Sequence, residues 1–270
     1  MLIDYGSPGV FTTLAPAQVP LFDDLPPTPA AICGVVQGLV VQPHDGPASR
    51  AGERNLRPAA AMVDALTALS PAPLSARRPV SQRTVGTCRN FVVLAVALLR
   101  LRGVPARARC GFGTYFHDGV GLDHWVLEYW SDDERRWVRT DAEWLGTDTV
   151  PDAADLAPGR FLTGGEAWQR WRKGEIDATK FGVWGTSHAW GEAEIRGNAI
   201  RDLAALMRVE TLPWDEWGRM EASYQGKTGP DYDALIDEVA ATCAGDDPAA
   251  VATLYATPEL SVPPSIIETA

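Results

Sequence analysis

Residues 85–112 read VGTCRNFVVLAVALLRLRGVPARARCGF, and no other stretch constrains the fold as strongly. The apolar run from about Thr87 to Arg102 predicts one helix with almost no polar face, so it must lie inside the fold. Gly103 stands where a helix C′ residue belongs, and Pro105 forbids continuation just beyond. The alternating segment ARARCGF that follows predicts a strand beginning at residue 106. Cys88 falls at the first turn of the helix rather than deep in the run, where a packing cysteine belongs. Unpaired N–H groups and the positive end of the helix dipole favour a thiolate at that position.

Around this helix the chain divides by composition. Residues 1–29 are Pro-rich and irregular. The segment 30–42 (AAICGVVQGLVVQ) reads as an apolar helix, and 56–70 as a second, with Leu56, Met62, Leu66 and Leu69 near helical spacing. SPAPLSARRP breaks the pattern before residue 80. Strand 106–116 is followed by DHWVLEYW, SDDE and RRWVRTDAEW, a hairpin over 123–144 with an acidic turn. The chain is then loop-rich to about 163, and GGEAWQRWRKGE and AEIRGNAIRDLAALMRVE read as helices. The boundaries expected are an N-terminal extension over 1–75 whose helices pack on the core, a core over 76–150, a helical and loop region over 151–255 also packing on it, and a tail over 256–270. No internal repeat is visible.

With 46% hydrophobic residues in 270, the chain can bury a sizeable core. A net charge of −11 and a pI near 4.8 argue against nucleic acid or an anionic membrane surface as partner. The N-terminus has no basic, apolar leader pattern. No apolar run approaches the ~20 residues that span a bilayer. A cytoplasmic location is expected. Four widely spaced cysteines (Cys33, Cys88, Cys110, Cys243) with no CxxC pair indicate free thiols rather than disulfides or a zinc knuckle.

A cysteine nucleophile needs an imidazole base, itself oriented by a carboxylate or amide. Of four histidines, His44, His117 and His188 lie in loop-like contexts, whereas His124 opens the strand DHWVLEYW. A turn centred on Asp132-Asp133 sets Glu128 opposite Trp137, Val126 opposite Arg139 and His124 opposite Asp141. The last two are then neighbours ~5 Å apart at Cβ on one face. A thiol at a helix start with a His–Asp pair on adjacent strands is the arrangement that acyl transfer requires. Gln82, six residues before Cys88, is an oxyanion-hole candidate, beside the Cys88 backbone N–H itself. Trp125, Trp144, Trp184 and His188 are candidate substrate contacts among ten tryptophans, more than a core needs. Arg196, Arg201 and Asp202 are near helical spacing and read as a solvated face or structural ion pairs.

GTCRNF around Cys88, the RGVPAR link, DHWV around His124 and RTDAEW around Asp141 together resemble the transglutaminase-like superfamily over residues 76–150. The flanks resemble those of uncharacterised bacterial proteins carrying this domain rather than the calcium-dependent cross-linking enzymes. The resemblance implies an α+β fold with a papain-like core, in which the cysteine helix packs on an antiparallel sheet. It implies a Cys88–His124–Asp141 triad and acyl transfer through a thioester on an amide, ester or thioester. Either water (amidase, peptidase) or an amine (transamidase, amide synthase) completes the reaction. It implies no cofactor and no metal, and a small-molecule or peptide acyl substrate. The other readings are a non-catalytic binding protein on the same fold and a peptide-N-glycanase-type deglycosylase, which usually carries zinc-binding cysteine pairs that this sequence lacks.

Overall fold

The computed structural model describes residues 3–245 and 247–268. In chain order its helices and strands are α1 (Pro29–Gln37), β1 (Val40–Val41), α2 (Ala59–Leu69), β2 (Thr84–Val85), α3 (Cys88–Leu101), β3 (Ala106–His117), β4 (Val120–Ser131), β5 (Arg136–Thr140), β6 (Phe161–Thr163), α4 (Gly164–Arg172), β7 (Phe181–Gly182), α5 (Glu192–Leu206), α6 (Met220–Tyr224), α7 (Pro230–Ala244), α8 (Pro248–Tyr255) and α9 (Pro264–Ile267). The fold is α+β. Its larger sheet runs β5-β4-β3-β6, with β7 parallel to β4 and the pairs β4–β5 and β3–β6 antiparallel. The chain clusters into two units, one of Asp4–Ala108 with Val126–Leu156, the other of Arg109–Trp125 with the chain from Ala157 onward. Strands β3 and β4 contribute residues to both.

In the first unit α3 is buried from Cys88 to Arg100, as its apolar run requires. Its two buried arginines donate to main-chain carbonyls. Arg89 donates to the carbonyls of Leu56 and Arg57, and Arg100 to those of Tyr5 and Ala106. This is how a cation survives in a core: a buried donor left unpaired costs on the order of 1–3 kcal/mol, more when charged. The helix ends as expected. Gly103 has φ 76°, its N–H reaches the Arg100 carbonyl and the Val104 N–H the Leu99 carbonyl, a Schellman closure.

Two expectations need correction here. The apolar segment 30–42 is helical only to Gln37; the chain then turns and Val40–Val41 pair in parallel with Thr84–Val85. Val40 and Val41 are β-branched and fill a buried strand position, which the helical reading of the run could not distinguish. The hairpin register differs by two residues. Ser131 pairs with Arg136, Trp130 with Trp137, Glu128 with Arg139 and Leu127 with Thr140. The loop is 132–135, closed by the Arg135 N–H on the Ser131 carbonyl with Arg135 at φ 54°. A slip of two keeps every side chain on its expected face but moves each partner along.

The second unit is organised by α5, whose polar sequence is almost wholly buried. Arg201 and Asp202 are about 1% and 0% exposed, so they are structural ion pairs and not a solvated face. Asp202 takes two bonds from Arg109 and one from the Cys110 N–H. Arg201 pairs with Glu194 and also bonds Asn198, whose amide reaches the Gly111 carbonyl and the Asp123 carboxylate. Helix α5 packs on α4 and α7, where Trp168 donates to Asp237. Toward the end of the chain Leu260 is buried and its carbonyl accepts from Trp217. No helix among the described residues is long and apolar enough to cross a membrane.

Candidate active site

Cys88 is the first residue of α3, and the sequence around it explains how the helix starts there. Thr87 is the N-cap. The Asn90 side chain reaches back to accept from the Thr87 N–H at 3.0 Å and its hydroxyl at 3.3 Å, while its amide donates to the Leu56 carbonyl. Gly86 is required by this turn, because a Cβ there would sit 2.6 Å from the Cβ of Asn90. Strand pairing of Val85 with Val41, extended by the Gly86 N–H on the Val41 carbonyl, holds the segment before the cysteine. Cys88 is 8% exposed, at the edge of burial.

His124 lies on β4 and is 4% exposed. The rings of Phe116 and Tyr115 meet it edge-on, with centroids 5.3 and 6.1 Å away. Its neighbour Asp123, on the opposite face of the strand, is half-buried and accepts from the Asn198 amide. Burial pushes the Asp123 carboxyl above its usual range, against the pull of Arg201, the Asn198 bond and His124.

The Cys88 sulfur, an imidazole nitrogen of His124 and a carboxylate oxygen of Glu143 all lie within 4.8 Å of one another. Glu143 was not anticipated from the sequence. The corrected register removes the expected facing of His124 and Asp141: the β4–β5 ladder ends at Leu127 with Thr140, and one step further aligns position 141 with 126. Asp141 follows the last β5 residue and is fully buried; its N–H donates to the Ala153 carbonyl. Its Oδ1 accepts from the N–H groups of Glu143 and Trp144, forming the turn that presents Glu143. The N-terminal segment reaches the same turn. Gln37 donates to the carbonyls of Glu143 and Leu145, and Gln42 to Glu143 Oε1 at 2.7 Å.

A cleft of about 250 Å³ adjoins this group, with Glu143, Trp144, Gln37, Gln42 and Phe91 in its walls. Of the other sequence candidates, Gln82 ends a short 3-10 turn and is half-buried. Trp125 is fully buried in the core. Trp184 is 71% exposed and stacks on His117, and His188 is exposed in the same loop. The remaining cysteines are buried. Burial, with a contribution from the Asp141 charge, pushes the Cys33 thiol up to about 12. Cys110 contacts Asn198 Oδ1 within the core.

The group has the parts of a thiol nucleophile with an acid–base imidazole, and its thiolate, imidazole and carboxylate are also donor types that bind zinc. No curated protein and no solved structure matches the chain. The family model of the transglutaminase-like superfamily matches residues 62–142, from within α2 through β5 to the residue after Asp141. That superfamily is typically enzymatic and cysteine-dependent, and Cys88, His124 and Asp141 all fall inside the match. Over residues 62–142 the chain is thus similar to the core of the transglutaminase-like superfamily.

Proposed function

We propose that the protein is a cysteine acyltransferase or hydrolase acting through a thioester on Cys88. The observation that carries the reading is the grouping of the Cys88 sulfur, a His124 nitrogen and a Glu143 oxygen within 4.8 Å at a helix N-terminus. In this reading His124 takes the thiol proton, the thiolate adds to the carbonyl of an amide, ester or thioester, and the tetrahedral intermediate collapses as His124 returns the proton to the leaving group. Water or an amine then attacks the thioester, with His124 accepting its proton, and Cys88 is regenerated. Asp141 orients the imidazole as the sequence pattern proposes, and Glu143 contributes its charge at the same group.

Intact-mass measurement after incubation with p-nitrophenyl esters tests this. An acyl adduct that maps to Cys88, and is absent in Cys88→Ala and His124→Ala, is expected. Adduct or turnover surviving in Cys88→Ala refutes it. Added amine separates the two outcomes of the thioester, since a transferase yields the amide and a hydrolase the acid. A second reading follows from the donor set, because these three side chains also suit a zinc ion. One equivalent of zinc in the purified protein, lost in Cys88→Ala, favours that reading over the triad.

A further inference from the structure

The cleft beside Glu143 is lined by two arginines, Arg77 and Arg83, on the segment that leads into the cysteine helix. The chain is acidic, with 35 Asp and Glu against 24 Lys and Arg, and its buried arginines are taken up by protein groups. Arg107 and Arg139 share Glu128, Arg109 pairs with Asp202, and Arg196 with Asp233. Arg77 and Arg83 have no carboxylate partner among the described residues. Arg83 spends only its Nε, on the Arg78 carbonyl at 2.7 Å, which fixes the guanidinium and leaves its terminal nitrogens for a ligand.

The two cations are near enough to feel each other. Burial first, and the Arg77 charge second, hold the Arg83 guanidinium below its usual range. A folded chain that keeps like charges together carries a cost that an anion between them removes. The carboxylates in the same walls do not serve. Asp45 faces His44 at 3.4 Å, and Glu143 Oε1 takes the Gln42 amide. Guanidinium forks match the paired oxygens of carboxylate and phosphate. The rest of the wall is apolar or amide: Val40, Val41, Phe91, Trp144, Gln37. At about 250 Å³ the space is at the small end for ligand pockets, which suits a short acyl chain with one polar terminus. Glu143 is in the same walls, and its carboxylate lies within 4.8 Å of the Cys88 sulfur.

We propose that Arg77 and Arg83 bind an oxyanion, carboxylate or phosphate, at the far end of a short acyl donor whose carbonyl lies at Cys88. The assignment of the ligand as an acyl donor rests on the function proposed above; the oxyanion site does not. The global charge excludes polyanions by long-range repulsion, whereas a small anion is within reach of two local cations once in the cleft.

Calorimetric titration of glutarate and of inorganic phosphate into the full-length protein at low salt tests the site without any chemistry. At least one is expected to bind, and the tighter of the two names the oxyanion. Affinity falls at least tenfold in Arg77→Gln/Arg83→Gln, while Arg83→Lys, which keeps the charge, retains more of it. No binding of either anion, or equal binding to all variants, overturns the proposal. A second arm compares mono-p-nitrophenyl glutarate with p-nitrophenyl butyrate. The wild type is expected to favour the glutaryl ester at least tenfold in kcat/KM, with the ratio falling toward one in the double glutamine variant. Turnover of both esters with no preference removes the oxyanion site and leaves acyl transfer standing. Glutarate binding lost in the variants, with no turnover of either ester, removes acyl transfer and leaves the oxyanion site standing.

Discussion

Two carboxylates bear on the proposed chemistry, and they have different surroundings. Asp141 is fully buried and spends Oδ1 on two main-chain N–H groups, whereas Glu143 lines an open cleft and accepts from Gln42. Asp141→Asn keeps an oxygen for those two N–H groups, so the melting temperature should stay within a few degrees. The lost charge should lower turnover by roughly 10²-fold, less than the ~10⁴ of serine-type triads because a thiol ionises more readily. Glu143→Gln preserves the Gln42 contact and should cost about tenfold or less if Asp141 orients the imidazole. Measuring kcat and Tm on both variants decides which acid is coupled to His124: the reverse ranking transfers the orienting role to Glu143. The cysteines offer a separate check. Cys33 is fully buried, its thiol pushed up to about 12, while Cys88 sits at a helix N-terminus by the cleft. Peptide mapping after limited iodoacetamide treatment of native protein should find Cys88 labelled first and Cys33 unlabelled. Faster labelling of Cys110 or Cys243 would count against a reactive Cys88.

At the level of elements, the start of α3 determines where the sulfur points. Asn90 is fully buried and ties the Thr87 N–H to the Leu56 carbonyl, and Gly86 leaves room for it. In Gly86→Ala the new Cβ would meet Asn90 at 2.6 Å and a Val40 methyl at 3.1 Å. Asn90 must leave, taking the cap with it. The expected loss is about 1–3 kcal/mol in urea unfolding, from overpacking and the missing cap. The alkylation rate of Cys88 should fall in parallel, because its backbone moves with the cap. A variant as stable and as reactive as wild type would show that the cap does not position the thiol.

Across the molecule, buried charge is a larger theme than the composition indicates. In the second unit Glu194 accepts from Arg201 and from the Tyr224 hydroxyl, with Asp123 contributing a like charge. Burial, the largest influence, pushes the Glu194 carboxyl up to about 7 despite the Arg201 attraction. A carboxyl raised from its unfolded value of 4.5 favours the folded state when protonated. Its contribution is therefore full below about pH 4.5 and is lost as pH rises through 7. Relative to Glu194→Gln, whose amide oxygen can still accept from Arg201, the wild type should lose roughly 1–3 kcal/mol of unfolding free energy between pH 5 and 8. Parallel urea-unfolding curves for the two proteins across that range would rule this out.

The helix α3, its Schellman end at Gly103, strand β3, the β4–β5 hairpin and the place of Cys88 at a helix start were all legible in residues 85–144. Each is set locally: an apolar run of helical length, a glycine followed by a proline, alternation of strand residues. The polar helix α5 was legible as a helix but not as a buried one, because its Arg201 and Asp202 find their partners on residues 109, 194 and 198, which only the fold brings near. Glu143 was hidden for a related reason. The residue opposite each β4 position depends on a hairpin register that alternation leaves open by steps of two and the loop 132–135 sets, and Glu143 is presented from a turn beyond the ladder. Sequence periodicity carries the face of a strand but not its partner. The clamp of Gln37 and Gln42 on the 143–145 turn spans more than a hundred residues, and the meeting of Arg77 and Arg83 with that same cleft is likewise a matter of tertiary structure. The residue types and their local geometry came from the sequence alone; the pairing of distant charges, which depends on three-dimensional distance, came only from the folded chain.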